Sequence, residues 1–161
     1  MFRSRNSIKK RQYKSEIKII DEEINRSQRY NLNFSVLVVD MSHSVPRGLS
    51  KLLPGNVLSF HLLQKYVRSY DNIIGPHRRR YYIVSSQTDK KGASAVKQRI
   101  HKLAERHEWG NLSIGMAVYP EDGKTSQALL NKAISELSQR RGLIPHPLFF
   151  LQGFNPYYAG T

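Results

Sequence analysis

The sequence predicts an α/β (α+β) domain, a βαββαβ core in which a mostly antiparallel central sheet is flanked by helices. Three observations carry that prediction. Residues 34–39 form an unbroken apolar run rich in β-branched side chains between Asn33 and Asp40, the pattern of a strand covered on both faces. Residues 68–84, RSYDNIIGPHRRRYYIV, place two short β-prone pieces on either side of a basic knot, as a hairpin does. Between and around these strands, apolar residues recur at helical spacing.

Taken in order, residues 1–14 carry Arg3, Arg5, Lys9, Lys10, Arg11 and Lys14 without an acid, a basic arm or a frayed helix start. Ile17, Ile20 and Ile24, with Gln28, then share one helical face, with Ser15 as N-cap and Glu16 in the first turn beside the helix dipole. Asn31 to Asn33 end that helix, and the apolar strand follows, with Asp40 at its C-terminal end. Pro46, Gly48 and Pro54 break the next stretch into a loop. A second helix is expected over 56–70, with Val57, Leu58, Leu62, Leu63 and Tyr66 on its apolar side, and then the hairpin. A helix over 93–107, a strand over 112–119 and a last helix capped by Thr125 or Ser126 complete the core. Leu129, Leu130, Ala133 and Leu137 give that last helix its buried face.

Composition bounds the chemistry. With 161 residues and 39% apolar content the chain can build one domain with a sizeable core. Twenty-six Lys and Arg against 12 Asp and Glu give a formal charge of +14, which favours polyanions: nucleic acid, nucleotides or an anionic surface. There is no Cys, so disulfides and thiolate chemistry are excluded. No apolar run approaches the ~20 residues of a spanning helix, and the N-terminus lacks the apolar segment of a signal peptide, so a cytoplasmic location is expected. His43, His61, His77, His101, His107 and His146 show no metal-ligand spacing, and Trp109 beside Gly110 fits a packed loop anchor.

Two segments carry a family resemblance. Residues 23–40, EINRSQRYNLNFSVLVVD, and residues 111–133, NLSIGMAVYPEDGKTSQALLNKA, resemble the first helix and strand and the SIG-x-A-x-YP-x-DG-x-T…LL-x-x-A segment of the GGDEF domain of diguanylate cyclases. The resemblance spans about residues 16–142 and implies a GGDEF/palm-like fold. It divides the chain into a basic arm (1–14), a degenerate GGDEF domain (15–142) and a Pro- and aromatic-rich tail (143–161).

The signature itself is lost. Read without gaps, the five motif positions are His77, Arg78, Arg79, Arg80 and Tyr81. In family enzymes the glycines let the hairpin backbone approach a triphosphate and the acids hold Mg²⁺. Only Gly adopts such conformations freely, and Mg²⁺ demands hard oxygen ligands that arginine does not offer. Asp40 matches the family's other metal-binding acid, here a vestigial metal position, and one carboxylate makes a poor two-metal site. The guanine-reading loop has drifted too, with Asp40-Met41-Ser42-His43-Ser44 followed by a Pro-broken stretch. The resemblance therefore implies no catalytic residues and no resident metal or cofactor.

A second family feature is present. Arg68-Ser69-Tyr70-Asp71 matches the Arg-x-x-Asp inhibitory site, five residues ahead of His77, and Arg99 falls where family members carry a further Arg. The resemblance implies cyclic di-GMP as ligand at Arg68, Asp71 and Arg99. The chemistry suits it: Arg forks onto a guanine edge or a phosphate, and a carboxylate accepts from guanine N–H groups. An ordinary surface ion pair accounts for Arg68 and Asp71 equally well.

The leading expectation is thus a catalytically inactive GGDEF-like domain that serves as a cyclic di-GMP receptor or interaction module, with a protein partner or a homodimer as further associations. The alternative is a palm-like nucleic-acid-binding protein that holds RNA or DNA through its basic arm and the 77–80 knot. The tail sequence FNPYYAGT, which resembles a translated CRISPR repeat, would associate that alternative with CRISPR systems, whose type III effectors carry a palm domain.

Overall fold

In the computed structural model, residues 5–42, 55–77, 79–110 and 112–140 are described. Eight elements follow one another: α1 (Arg5–Tyr30), β1 (Phe34–Asp40), α2 (Gly55–Tyr66), β2 (Asn72–His77), β3 (Arg80–Ser86), α3 (Lys90–Arg106), β4 (Ser113–Tyr119) and α4 (Ser126–Arg140). The four strands make one sheet in the order β2-β3-β1-β4, and β1–β3, β1–β4 and β2–β3 all pair antiparallel. This is the mixed α/β architecture with an antiparallel sheet that the sequence predicts.

β1 lies inside the sheet and every one of its residues is buried, which explains why its sequence is a continuous apolar run and not an alternating one. Its side chains divide between two cores with the period-two geometry of a strand. Phe34, Val36 and Val38 join Tyr82, Val84, Ala117 and Tyr119 under α1 and α4. Leu37 and Val39 join Tyr81, Ile83 and Ile114 under α2 and α3, with Leu63, Ile100, Leu103 and Trp109. Trp109 is fully buried, the anchor its sequence context suggests.

Local signals account for the helix starts. Asp89 caps α3 by accepting the Gly92 N–H at 2.7 Å, and Thr125 Oγ1 accepts the Ala128 N–H at 3.2 Å ahead of α4. Leu129, Leu130, Ala133 and Leu137 are all buried, as the pattern predicts. Gly115 is indispensable on β4, because a Cβ there would lie 1.8 Å from the Ala133 carbonyl oxygen of α4. The Ser-Ile-Gly step therefore brings helix and strand backbones together.

Helix boundaries differ from expectation in α1, α2 and α3, the last of which begins at Lys90 and not at 93. α1 begins at Arg5, so Ser15 is not an N-cap and Glu16 lies in the helix interior. The charged stretch is helical because Lys, Arg, Gln and Glu are good helix formers and no Gly or Pro interrupts them. Ser27, not Gln28, continues the buried face of Ile20 and Ile24. α2 ends at Tyr66, so Arg68 and Asp71 lie in the turn beyond it and not at the helix end. Residues 1–4 of the basic arm and the tail at 143–161 fall outside the described residues.

Candidate functional site

The β2–β3 hairpin brings its tip to the C-terminal end of β1. His77 and Arg80 are paired in register, with Arg79 in the turn between them, while Arg78 lies outside the described residues. Arg79 is left-handed (φ 64°), a conformation that costs a non-Gly residue roughly 1–2 kcal/mol. Gly75 (φ 121°) allows the irregularity in β2 ahead of the turn, since a Cβ there would meet the Arg80 carbonyl oxygen at 2.7 Å. The tip is held to β1 by the Met41 N–H, which donates to the Arg79 carbonyl at 2.9 Å.

Register then decides the chemistry. Asp40 and Arg80 are direct cross-strand partners. Asp40 is fully buried, and its Oδ2 accepts from Arg80 Nε at 2.7 Å. Its Oδ1 accepts from the Ser42 backbone N–H at 2.9 Å and from the Ser42 hydroxyl at 2.5 Å. Arg79 Nη1 donates to the Ser42 carbonyl at 3.2 Å. Burial by itself would raise the Asp40 pKa. The Ser42 hydroxyl, the Arg80 guanidinium and the Ser42 N–H outweigh that effect and hold the carboxyl below the usual carboxylate range.

Both oxygens of the one acid that could bind a cation here are therefore engaged, and a guanidinium occupies the adjoining space. These residues do not fit a divalent cation, which needs free oxygen ligands and would be repelled by Arg79 and Arg80. Among the described residues no group of three or more His, Asp or Glu could hold a metal ion. At the last position of the hairpin motif, Tyr81 is buried against the α2 side and its hydroxyl shares a hydrogen bond with Ser59. Burial nevertheless pushes the phenol's pKa up.

The second set of residues lies apart from this pair in the fold. Arg68 and Asp71 close a small turn on themselves: the Arg68 N–H donates to Asp71 Oδ2 at 3.1 Å and the Asp71 N–H donates to the Arg68 carbonyl at 3.0 Å. Asp71 Oδ1 is buried without a hydrogen-bond partner. The Arg68 side chain is exposed, its guanidinium 5.7 Å from the centre of the Tyr70 ring. Arg99 is exposed on α3. Arg106, two turns further along the same side of that helix, donates from Nη1 to the Tyr66 hydroxyl of α2 at 3.0 Å. Arg99 thus lies on the flank of α3 that faces α2.

Sequence reasoning treats the knot as a cluster of free arginines and Asp40 as a leftover, and misses that Arg80 and Asp40 pair. The signal was available: strands joined by a short turn and flanking a central strand put opposite charges at the same end of the sheet.

The fold has solved counterparts. A sensory box/GGDEF family protein from Caulobacter crescentus superposes with a TM-score of 0.59 at 17% identity, over 80% of this chain and 91% of that one. The FimX GGDEF domain from Pseudomonas aeruginosa gives 0.61 at 15% identity, over 79% and 87%. The active GGEEF domain of a diguanylate cyclase from Vibrio cholerae gives 0.59 at 14% identity, over 75% and 85%. No protein-family model and no curated protein matches the chain. At these identities the likeness establishes a GGDEF-like fold.

Proposed function

We propose that this GGDEF-fold domain has exchanged cyclase chemistry for ligand recognition, and that it binds cyclic di-GMP through Arg68, Asp71 and Arg99. The observation that carries the first half is the Arg80–Asp40 pair. Phosphoryl transfer relies on cations to neutralise developing charge, and here the strand-end acid is spent on a side chain of the protein's own hairpin. A GTP-to-cyclic-di-GMP cycle has no metal platform in such a site.

The second half rests on chemistry and placement. Asp71 keeps one buried oxygen without a partner, an acceptor suited to guanine N–H groups. Arg68 extends an exposed guanidinium from the same turn, and Arg99 lies on the α2-facing flank of α3.

Calorimetric titration with cyclic di-GMP tests the reading, run alongside a product assay with GTP and Mg²⁺ or Mn²⁺. Saturable binding without product is expected. A lost charge-assisted hydrogen bond costs about 1.5–3 kcal/mol, so Arg68→Ala is expected to weaken binding roughly ten- to a hundredfold. Asp71→Asn should weaken it less, because the amide oxygen still accepts. Arg79→Ala should change it little. Equal losses from all three substitutions would indicate general charge attraction. No binding by the wild type, or product formation abolished by Asp40→Ala, would overturn the proposal.

A further inference from the structure

The two flanks of α3 differ in what they meet. Lys97 reaches over one side to Glu136 of α4, with Nζ 2.6 Å from Oε1, and that charge is neutralised. The opposite flank carries Arg99, Lys102 and Arg106 at i, i+3 and i+7, all exposed, spread along about 10 Å of helix. Glu105 points about 100° around the helix from Arg106, so the stripe itself is basic.

Arg106 ties this stripe to α2 through the Tyr66 hydroxyl, and four residues beyond Tyr66 stands Tyr70. Tyr70 is 57% exposed and has the Arg68 guanidinium over its ring. An exposed aromatic ring gains nothing from water, and the turn that carries it is fixed by the reciprocal Arg68–Asp71 hydrogen bonds.

We infer that this face, the Arg99–Lys102–Arg106 stripe leading to Arg68 and Tyr70, binds single-stranded nucleic acid. A line of cations tracks phosphates, and an aromatic ring beside a planar guanidinium offers a base a stacking surface. A duplex keeps its bases stacked on each other and cannot use Tyr70 in that way. The surface differs from the hairpin knot, where Arg80 is already committed to Asp40. It shares Arg68 and Arg99 with the cyclic-dinucleotide reading, but Tyr70, Lys102 and Arg106 belong to it separately.

The test is fluorescence anisotropy of the full chain with labelled single-stranded RNA and DNA of about twelve nucleotides, within the range of known single-strand sites, over a series of salt concentrations. A duplex and an abasic strand of equal length serve as comparisons. Tyr70→Ala should weaken binding about tenfold with the salt dependence kept. Lys102→Ala should reduce the slope of log affinity against log salt by about 0.7, the value for one phosphate contact on a single strand. Arg79→Ala at the hairpin should leave both unchanged. RNA tighter than DNA, or the reverse, identifies which strand the surface prefers, and either supports the inference. It is overturned if the abasic strand or the duplex binds as tightly as the base-bearing strand. It is also overturned if Tyr70→Ala and Lys102→Ala bind like the wild type. Failure of cyclic di-GMP to bind would leave these outcomes as they are, because Tyr70 and Lys102 have no part in that site.

Discussion

Arg80 and Asp40 form an ion pair with one member fully buried, and such pairs respond asymmetrically to substitution. Removing one partner leaves an uncompensated charge, whereas replacing both with apolar residues of similar size is often neutral. Arg80→Ala should therefore destabilise the domain by about 3 kcal/mol, while Asp40→Leu combined with Arg80→Met should unfold near the wild-type temperature. Thermal unfolding of the two variants decides it. The pair also makes a statement about acid. The folded Asp40 pKa lies below the ordinary carboxyl value of 3.8, so its stabilisation is complete above that value. It is lost as pH falls through the lower folded pKa.

Glu16 presents the opposite case. It is 1% exposed within α1, neither carboxylate oxygen has a hydrogen-bond partner, and burial pushes its pKa up from 4.5 to about 7. Below pH 4.5 the group is neutral whether folded or unfolded, and the shift has no effect on stability. Between 4.5 and 7 the unfolded chain releases a proton that the folded chain keeps, so stability falls with rising pH. Above 7 the penalty is complete, on the order of 3 kcal/mol for a shift of this size. Glu16→Gln should accordingly raise the unfolding temperature at pH 8 and change it little at pH 4, as denaturation at the two pH values would report.

At the scale of elements, the free edge of β4 is closed by side chains. Glu136 of α4 accepts the Met116 N–H at 2.7 Å while also binding Lys97, and Asp122 accepts the Val118 N–H at 2.8 Å. Backbone donors that would otherwise offer pairing to another strand are satisfied within the chain. Close packing of α4 against the same strand depends on Gly115. Gly115→Ala would drive a methyl into the Ala133 carbonyl and force helix and strand apart, with a loss of at least 2–3 kcal/mol expected from such overpacking. Urea denaturation should show a lower midpoint, and an unchanged midpoint would mean that α4 can shift freely. The cyclase-like 111–133 segment is thus legible as architecture. Its glycine, its Asp122 turn and its Thr125 cap hold the sheet edge and the last helix.

At the scale of the molecule, charge and topology act together. In a chain of formal charge +14, acids meet cations from other elements: Asp40 under Arg80, Glu136 under Lys97, and Glu121 beside Lys90 at 3.3 Å. The excess of charge is basic, and the α3 flank is one place where it is ordered into a line. Among the described residues no helix is long and apolar enough to cross a membrane.

The sequence by itself determined the elements and their order, because the signals for them are local. The apolar run at 34–39, the helical spacing of Leu129, Leu130, Ala133 and Leu137, and the turn-forming residues of the hairpin each act within a few positions. It also determined that the hairpin lacks acids. Where α1 begins was less legible, since a basic stretch without apolar periodicity reads as an arm even when its residues favour helix. Only the tertiary structure decided which charges meet. Asp40 and Arg80 stand forty residues apart, and they face each other because two strands settle in one register. Lys97 and Glu136 meet around a sheet edge, and Arg106 finds Tyr66 on a different helix. Register and helix packing are fixed by the apolar side chains in the two cores, so the partners of the polar residues follow from contacts that those residues do not make.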